Sequence, residues 1–493
     1  MHVRTRYAPS PTGLQHIGGV RTALFNYLFA RSQGGHFIVR LEDTDRSRFD
    51  PAFVQNLYET FDWLNIQWDE GPRKNGPYQP YIQSERLKLY QQYAQQLVER
   101  GQAYYCFCSA QRLEALRAER EQAHSRESGY DRRCRTVDPA EAAARVSAGE
   151  SYTVRLKIPL DEQTIHGDDV VLGAIEWNTG DISPDPVLLK SDGFPTYHLA
   201  NVVDDHAMEI THVLRAQEWL PSTPLHIVLY RAFGWQQPLF CHLPMVLGQD
   251  GKKLSKRHGA TSVAEFRKQG YTADALLNYL ALLGCSYQEG KELYSVAELA
   301  DLFALNKLNK APAVFDYKKL DWYNAQYIKA QKPEDLARLA LPFALDYGLF
   351  GTGTATEAQT KLFIQSMPLI QERAVTLKEI PEKIHYLFAE PPVPAAAEYI
   401  PKKLDSEITV SILKRWYAVL ESIVQVPHEQ QEAVAKAQAE SLSLKVGDVL
   451  LPLRVAITGS RVSPPLFESL TLLGAARCKA RIERALQSLQ SVH

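Results

Sequence analysis

Three groups of residues in this chain have types and spacings that could do chemistry. The first is Ala8-Pro9-Ser10-Pro11-Thr12-Gly13, followed by His16-Ile17-Gly18-Gly19 at a predicted helix start. Glycines let a backbone approach a nucleotide closely. A helix N-terminus offers free N–H groups and a positive dipole end to phosphate, and an imidazole there can hydrogen-bond phosphate oxygens. Taken alone, His-x-Gly also fits a proline-rich turn with a surface histidine. The second group is Gly251-Lys252-Lys253-Leu254-Ser255-Lys256-Arg257-His258-Gly259, with four cations in six positions between glycines. Such a loop can close on polyphosphate, where lysine acts as a point charge. Standing alone, it is equally a solvated basic loop. The third is Cys106-Phe107-Cys108 with Tyr130 and Cys134. Thiolates are good zinc ligands and a structural zinc takes four. Three reduced thiols beside a surface tyrosine are the alternative.

The first 50 residues read as strand, loop, helix, strand. Val3 to Ala8 is a short β-type run, cut by the prolines and glycine of the Pro9–Gly13 loop. From Gly18 the apolar positions Val20, Leu24, Tyr27 and Leu28 follow a helical period, and Gly34-Gly35 ends the helix. Phe37–Leu41 is a mostly apolar strand. A βαβ unit of this kind has parallel strands and a right-handed crossover. Ligands bind outside the carboxyl ends of such strands. That places the Ala8–Gly19 loop and Glu42-Asp43-Thr44-Asp45 at one crevice. Further on, Leu87–Ala118 reads as largely helical, interrupted at Tyr104–Cys108, and residues 119–150 are polar. Residues 151–190 read as β-rich with turns, and a buried-strand look returns at Val187-Leu188-Leu189 and Val202-Val203. Segment 85–195 is therefore expected to be an insertion. Helical patterns dominate after about residue 260, with a linker at Pro391-Pro392-Val393-Pro394.

The length, 493 residues, corresponds to about three domains at roughly 150 residues each. The hydrophobic fraction of 45% and charged fraction of 23% argue against a disordered, collagenous or coiled-coil chain. The net charge of −2 excludes a global basic field for gripping nucleic acid. Local excess remains: residues 1–48 carry +4, residues 249–268 carry +4 and residues 474–493 carry +3. A nucleic-acid backbone would be met by patches of this kind. Six cysteines are too few for a disulfide scaffold. The Met1–Arg6 start shows no secretory leader, and no run of about 18 apolar residues predicts a bilayer span. A cytoplasmic protein with reduced thiols is expected.

Longer motifs accompany the first two groups: Arg6–Gly13, Glu42–Asp45, Pro195–His206, Arg215-Ala216-Gln217-Glu218-Trp219, Lys253–Arg257, Lys319–Asn324 and Arg454–Gly459. On these residues the chain resembles the class I aminoacyl-tRNA synthetases, whose signatures are an HIGH box and a KMSKS box, and among them the bacterial glutamyl-type enzymes. The likeness spans nearly the whole chain. It implies an α/β fold: a Rossmann-type parallel-sheet catalytic domain with an α/β insertion, followed by all-helical stem-contact and anticodon-binding domains. The boundaries expected are 1–84 with 196–255 for the catalytic domain and 85–195 for the acceptor-binding insertion. The stem-contact domain would cover 256–332, and the anticodon-binding domain 333–398 and 399–493.

The resemblance also implies the reaction. It is ATP-dependent activation of L-glutamate to glutamyl-adenylate, then transfer to the 3′-terminal adenosine of tRNA(Glu). The partners are tRNA(Glu), L-glutamate and ATP with Mg²⁺, and the chain is expected to be a monomer. By the resemblance, Arg6, Ser10, Glu42, Tyr197, Asn201 and Arg215 bind glutamate. The arginines match the carboxylate-binding positions and Glu42 the acid that meets the α-ammonium. For Arg6 and Glu42 a structural ion pair between neighbouring strands is the alternative. His16, Gly18, Gly19, Glu218, Trp219 and Lys256 match the ATP site, and His16, Gly18, Lys253 and Lys256 the catalytic set, with Arg257 assisting. One departure is visible: the fourth position of the HIGH box is Gly19, so its phosphate contact is expected from elsewhere, from backbone N–H groups.

Some relatives in this group carry zinc in the insertion. A Cys-x-Cys with Cys-x-His version fails here because residue 136 is Thr. The version of the shorter glutamyl-Q enzymes, Cys-x-Cys with Tyr-x-x-x-Cys, fits Cys106, Cys108, Tyr130 and Cys134, with His124 as the other choice for the fourth ligand. Cys241, Cys285, His198 and His226 are expected in cores or behind the site, and Trp63, Trp68 and Trp322 as core anchors. The glutaminyl enzymes end in β-barrels and the glutamyl-Q enzymes lack a C-terminal third, so both fit less well. A non-catalytic RNA-binding paralogue would not need His16, Lys256 and a complete glutamate pocket, and a small nucleotidylyltransferase would not need the helical C-terminal region.

Overall fold

The computed structural model describes all residues except 1, 75, 123–128, 352 and 491–493. They fall into two compact units: Met1–Phe266 with Leu276–Tyr317, and Arg267–Ala275 with Lys318–His493.

The first unit begins with the expected βαβ. Strand β1 (Arg4–Tyr7), helix α1 (Ile17–Ser32) and strand β2 (His36–Val39) follow in order, and β1 pairs with β2 in parallel, Arg4 opposite His36 and Tyr7 opposite Val39. Helix α1 ends where Gly34 takes a φ of 60°, a left-handed conformation that suits glycine. Strand β1 is buried although it carries two arginines. Arg4 is neutralised inside the unit, donating from Nη1 and Nη2 to the two carboxylate oxygens of Glu70 at 2.7 and 3.0 Å. Helices α2 (Pro51–Leu64) and α3 (Leu87–Glu99) follow. The chain then forms β3 (Ala103–Cys106), α4 (Ala110–Gln122), α5 (Pro139–Ser147) and β4 (Thr153–Leu156). A hairpin of β5 (Thr164–Asp169) and β6 (Gly173–Asn178) and then β7 (Val187–Leu189) come next. Strands β3, β4 and β7 make a separate antiparallel sheet.

The chain returns through α6 (Tyr197–Ala207), β8 (His212–Ala216), α7 (Thr223–Phe233) and β9 (Leu239–Leu243). Strands β8 and β9 are parallel, and β5 meets β9 in parallel at Asp169 opposite Phe240, giving the order β6-β5-β9-β8. The Thr211 N–H donates to the Arg4 carbonyl at 3.0 Å, tying β8 to β1. The core between sheet and helices contains Ile38, Tyr90, Leu97, Leu199, Val213 and Phe240.

Two sequence expectations change here. Val202 and Val203 lie in helix α6, not in a strand. Residues Leu199 through Asp205 of that helix are all buried, so no solvated face imposes a helical period on the sequence. Trp322 is 45% exposed and anchors no core, whereas Trp68 is buried.

The second unit is helical. Pro333–Asp346, Glu357–Gln371, Ser406–Ile423, His428–Ser441, Val446–Thr458 and Ala475–Gln490 contribute to one core containing Leu336, Phe363, Trp416, Leu453 and Ile482. The buried Asn324 is saturated: its Oδ1 accepts from the Thr272 N–H at 2.8 Å, and its Nδ2 donates to the Val375 carbonyl at 2.6 Å. The cations of residues 474–493 are partly engaged within the unit. Arg481 and Arg484 reach Glu390 at 3.0 and 2.8 Å and Arg477 lies at 3.6 Å, so three arginines share one carboxylate, with Arg481 buried and Arg477 and Arg484 partly exposed. Among the described residues no helix is long and apolar enough to cross a membrane.

Candidate active site

Strand β1 ends at Tyr7, and the proline turn carries the chain over the carboxyl edge of the sheet to His16. His16 is the N-cap of α1, and its Nδ1 accepts from the Gly18 N–H at 3.1 Å. In the neutral ring the proton is then on Nε2, a donor directed by the helix start. Burial, then the Lys253 ammonium, lowers the His16 pKa below its ordinary value and favours that neutral ring. Gly19 approaches Tyr7 so closely that a Cβ would lie 2.8 Å from the phenol oxygen. A histidine in the fourth position of this box would therefore displace Tyr7, whose hydroxyl donates to Gln15 Oε1 at 2.8 Å.

The basic loop is stitched to this turn. The Ile17 N–H donates to the Thr261 carbonyl and the Val263 N–H to the Gln15 carbonyl, both at 3.0 Å. Within the loop, Lys253 pairs with Glu218. The Lys256 side chain is exposed and makes no hydrogen bond or ion pair among the described residues.

One cleft of about 460 Å³ opens at the carboxyl ends of β1 and β8. Arg6, Ser10, Glu42, Tyr197, Asn201 and Arg215 line it, and so do His16, Gly18, Gly19, Glu218, Trp219 and Lys253. Of the residues expected at the site, Lys256 and Arg257 do not line this cleft. Trp219 is 41% exposed at its rim, with its ring centroid 4.7 Å from that of Tyr197.

The expected alternative of an Arg6–Glu42 ion pair does not form. Arg6 donates from Nε and Nη2 to the two oxygens of Asp205 at 3.0 and 3.2 Å. Glu42 instead accepts from Arg40 Nη2 at 3.0 Å and Asn201 Nδ2 at 3.2 Å. Arg40 also donates to Asp205 at 2.7 Å. Behind it, Asp204 accepts from Arg86 Nε at 2.8 Å, Gln83 at 2.9 Å and the Tyr90 hydroxyl at 2.8 Å. Burial raises the Glu42 pKa despite Arg40, so its carboxylate is stabilised by any further cation brought to it. The sequence reading missed Arg40, Arg86 and Asp205 as supports of the site. Asp205 was inside a quoted motif, but nothing in the sequence says which arginine it meets.

Arg215 differs from Arg6, Arg40 and Arg86, each of which meets a carboxylate. It is buried, and its hydrogen bonds all go to neutral groups: Nε to His242 Nε2 at 3.0 Å, Nη1 to the Tyr197 hydroxyl at 3.2 Å and Nη2 to Thr223 Oγ1 at 2.9 Å. Its Nη1 also lies 3.4 Å from His226 Nδ1, and burial lowers its pKa. No carboxylate lies within 4.0 Å of it among the described residues. Buried charges are ordinarily paired. Arg6, Arg40 and Arg86 meet Glu42, Asp204 and Asp205 directly, whereas Arg215, like the buried Arg21 that also lines the cleft, has no carboxylate in direct contact. That is a receptor for an anion.

A second cluster sits in the insertion. The sulfurs of Cys106, Cys108 and Cys134 lie within 4.8 Å of one another. The Tyr130 oxygen is 3.3 Å from Cys106 Sγ and 3.5 Å from Cys108 Sγ, and Cys108 and Cys134 are 3.6 Å apart. A tetrahedral zinc with Zn–S near 2.3 Å and Zn–O near 2.0 Å needs S···S edges of about 3.8 Å and S···O edges of about 3.5 Å. The donor set fits such an ion. Two cations flank it: Arg112 Nη1 lies 3.4 Å from Cys108 Sγ, and the Arg155 guanidinium sits 3.9 Å from the Tyr130 ring centroid. His124 lies outside the described residues.

Comparison with known proteins gives consistent relatives. Residues 2–322 match the family model for class I tRNA synthetases (E and Q), catalytic domain, and residues 335–486 match that for an anticodon binding domain. The chain is 52% identical to a glutamate–tRNA ligase of Treponema denticola and 47% identical to one of Borreliella burgdorferi, with 99% of each chain covered in both cases. Among solved structures, it superposes on a glutamate tRNA ligase from Elizabethkingia meningosepticum in complex with its amino acid. The TM-score is 0.88 at 34% identity, covering 99% of this chain and 100% of that one.

Proposed function

The chain belongs to the class I tRNA synthetases of the E and Q group, among the glutamate–tRNA ligases, and on that premise we propose how its residues perform the ligation. The activity is ATP-dependent joining of L-glutamate to tRNA. Arg215 is the observation that carries the substrate assignment. Its unpaired positive charge, beside Arg6, matches a substrate with two carboxylates and one ammonium, whose net charge is −1. Arg215 receives the side-chain carboxylate and Glu42, with Tyr197 and Asn201 beside it, the α-ammonium. Ser10 and Arg6 complete the pocket.

In the first step the α-carboxylate oxygen attacks the α-phosphorus of ATP and pyrophosphate leaves. In the second, the 2′-hydroxyl of the terminal adenosine of tRNA(Glu) attacks the acyl carbon and AMP leaves. Neither step needs a protein nucleophile, so catalysis is positioning and charge stabilisation. His16 Nε2–H and the backbone N–H of Gly19 hold phosphate oxygens, the Gly18 N–H holds the His16 ring in place and its missing side chain lets the nucleotide approach, and Trp219 and Glu218 border the nucleotide. Lys253 and Lys256, with Arg257, stabilise the departing pyrophosphate. Glu42 and Glu218, the cleft carboxylates, are taken by Arg40 and Lys253, so a Mg²⁺ would be held chiefly by the ATP phosphates and would supply charge neutralisation there. The ligation is tested by product analysis: AMP and pyrophosphate form only when glutamate and tRNA(Glu) are both present. Release of ADP, or turnover without glutamate, contradicts it.

The remaining parts follow the same reading. Segment 85–195 meets the acceptor end of tRNA, 256–332 its stem, and 333–398 with 399–493 the anticodon. The enzyme works as a cytoplasmic monomer. Cys106, Cys108, Cys134 and Tyr130 hold one structural zinc, which cross-links β3 to the loop that follows α4. Freshly purified protein then carries about one zinc per chain, and Tyr130→Phe releases it to a chelator at least about tenfold faster. Metal-free protein whose melting temperature ignores chelator contradicts the assignment.

A further inference from the structure

We propose that Asp169 and His242 form a positioning relay that fixes Arg215 for the substrate's side-chain carboxylate while leaving its charge unneutralised. The proposal rests on the reading of Arg215 as a glutamate-binding residue. The three residues lie on three adjacent strands. Asp169 ends β5, His242 is on β9, and Arg215 on β8 stands directly opposite His242 in the parallel register.

The hydrogen bonds have one consistent direction. Asp169 Oδ2 lies 3.0 Å from the His242 backbone N and 2.7 Å from His242 Nδ1, and Oδ1 accepts the N–H groups of Val171 and Leu172 at 2.9 Å each. Four donors therefore saturate this carboxylate. Burial alone would raise its pKa, but His242 and the backbone amides outweigh it and the net shift is downward, towards the anion. The carboxylate thus takes the Nδ1 proton of a neutral imidazole, and Nε2 is left with its lone pair. That lone pair meets Arg215 Nε–H at 3.0 Å. Burial lowers the His242 pKa, which keeps the ring neutral. The relay fixes the tautomer, and the tautomer fixes the guanidinium.

The choice of an imidazole has a consequence for specificity. A carboxylate in direct contact with Arg215 would neutralise it and leave a pocket without preference for an anionic side chain. A neutral acceptor orients the guanidinium, while the compensating Asp169 charge stays one ring further back. The Nη groups then face only Tyr197, Thr223 and His226.

The test is steady-state glutamylation at saturating tRNA(Glu), with the KM values for glutamate and ATP read separately. Asp169→Asn cannot satisfy its donors in either amide orientation, and His242→Leu removes the acceptor. Each is expected to raise the KM for glutamate about 10- to 100-fold, the effect of one unsatisfied buried donor, with the KM for ATP within about twofold. His242→Gln can return an amide oxygen near the Nε2 position and is expected to stay within about fivefold of the parent. If His242→Leu does not fold, the Asp169→Asn and His242→Gln pair decides. The relay is overturned if folded Asp169→Asn leaves the KM for glutamate within about threefold, if the KM for ATP rises in parallel, or if His242→Gln is as impaired as His242→Leu. A folded Arg215→Leu with an unchanged KM for glutamate would instead overturn the reading of Arg215 itself.

Discussion

Arg215→Leu is expected to lower kcat/KM for glutamate by between about 10²- and 10³-fold, the equivalent of about 3–4 kcal/mol for a charge-assisted, fully desolvated pair. The substrate carboxylate would then enter a closed pocket with no positive partner in reach except Arg6, whose Nε and Nη2 are already committed to Asp205. The variant should fold, because the arginine it removes is a buried cation held only by neutral acceptors. The KM for ATP should hardly move, since Arg215 faces the amino-acid end of the cleft. Kinetics at saturating tRNA(Glu) decide the matter. A folded variant within about tenfold of the parent contradicts the pocket described above.

Lys256→Ala is expected to act on a different quantity. It should reduce the rate of adenylate formation about 10²- to 10³-fold, the range measured when one preorganised charge-stabilising group is removed, with little change in the KM for glutamate. Stability should be unaffected. The Lys256 side chain is exposed in a short turn and makes no hydrogen bond or ion pair among the described residues, and such surface substitutions stay within about 0.5 kcal/mol. Single-turnover formation of glutamyl-adenylate separates this step from transfer. The assignment fails if Lys256→Ala forms adenylate at the parental rate. Lys253→Ala should cost less, because Lys253 is paired with Glu218 in the absence of nucleotide.

Much of this site was legible in the sequence because its chemistry depends on residue types at short spacing. His16 and Gly18 mark a helix start whatever surrounds them, and the basic loop is continuous in the chain. The proposed glutamate pocket is legible only through a family resemblance. Its members come from β1, the turn after β2, α6 and β8, and no local pattern links Arg6 to Arg215. The counter-charges were not legible at all. Arg40, Asp205 and Asp169 each find a partner more than 70 residues away, and the Arg6–Glu42 pair that strand adjacency suggested is replaced by contacts to α6 and within the turn after β2. Helix α6 defeated the reading for a related reason: it is buried nearly all round, so its hydrophobic pattern carries no face. Gly19 reads as a loss in the sequence, yet in the fold its missing side chain is what admits the Tyr7 hydroxyl.

The central claim is that one unneutralised buried cation, Arg215, selects an anionic side chain. The measurement that tests it most directly is the ratio of kcat/KM for glutamate to that for glutamine, on purified tRNA(Glu) with the unmodified chain. Glutamine presents a neutral amide and would leave Arg215 buried without an anion. The predicted ratio exceeds about 10³, falling by at least about tenfold in Arg215→Leu. A parental ratio near unity, or one that Arg215→Leu leaves unchanged, would contradict the account.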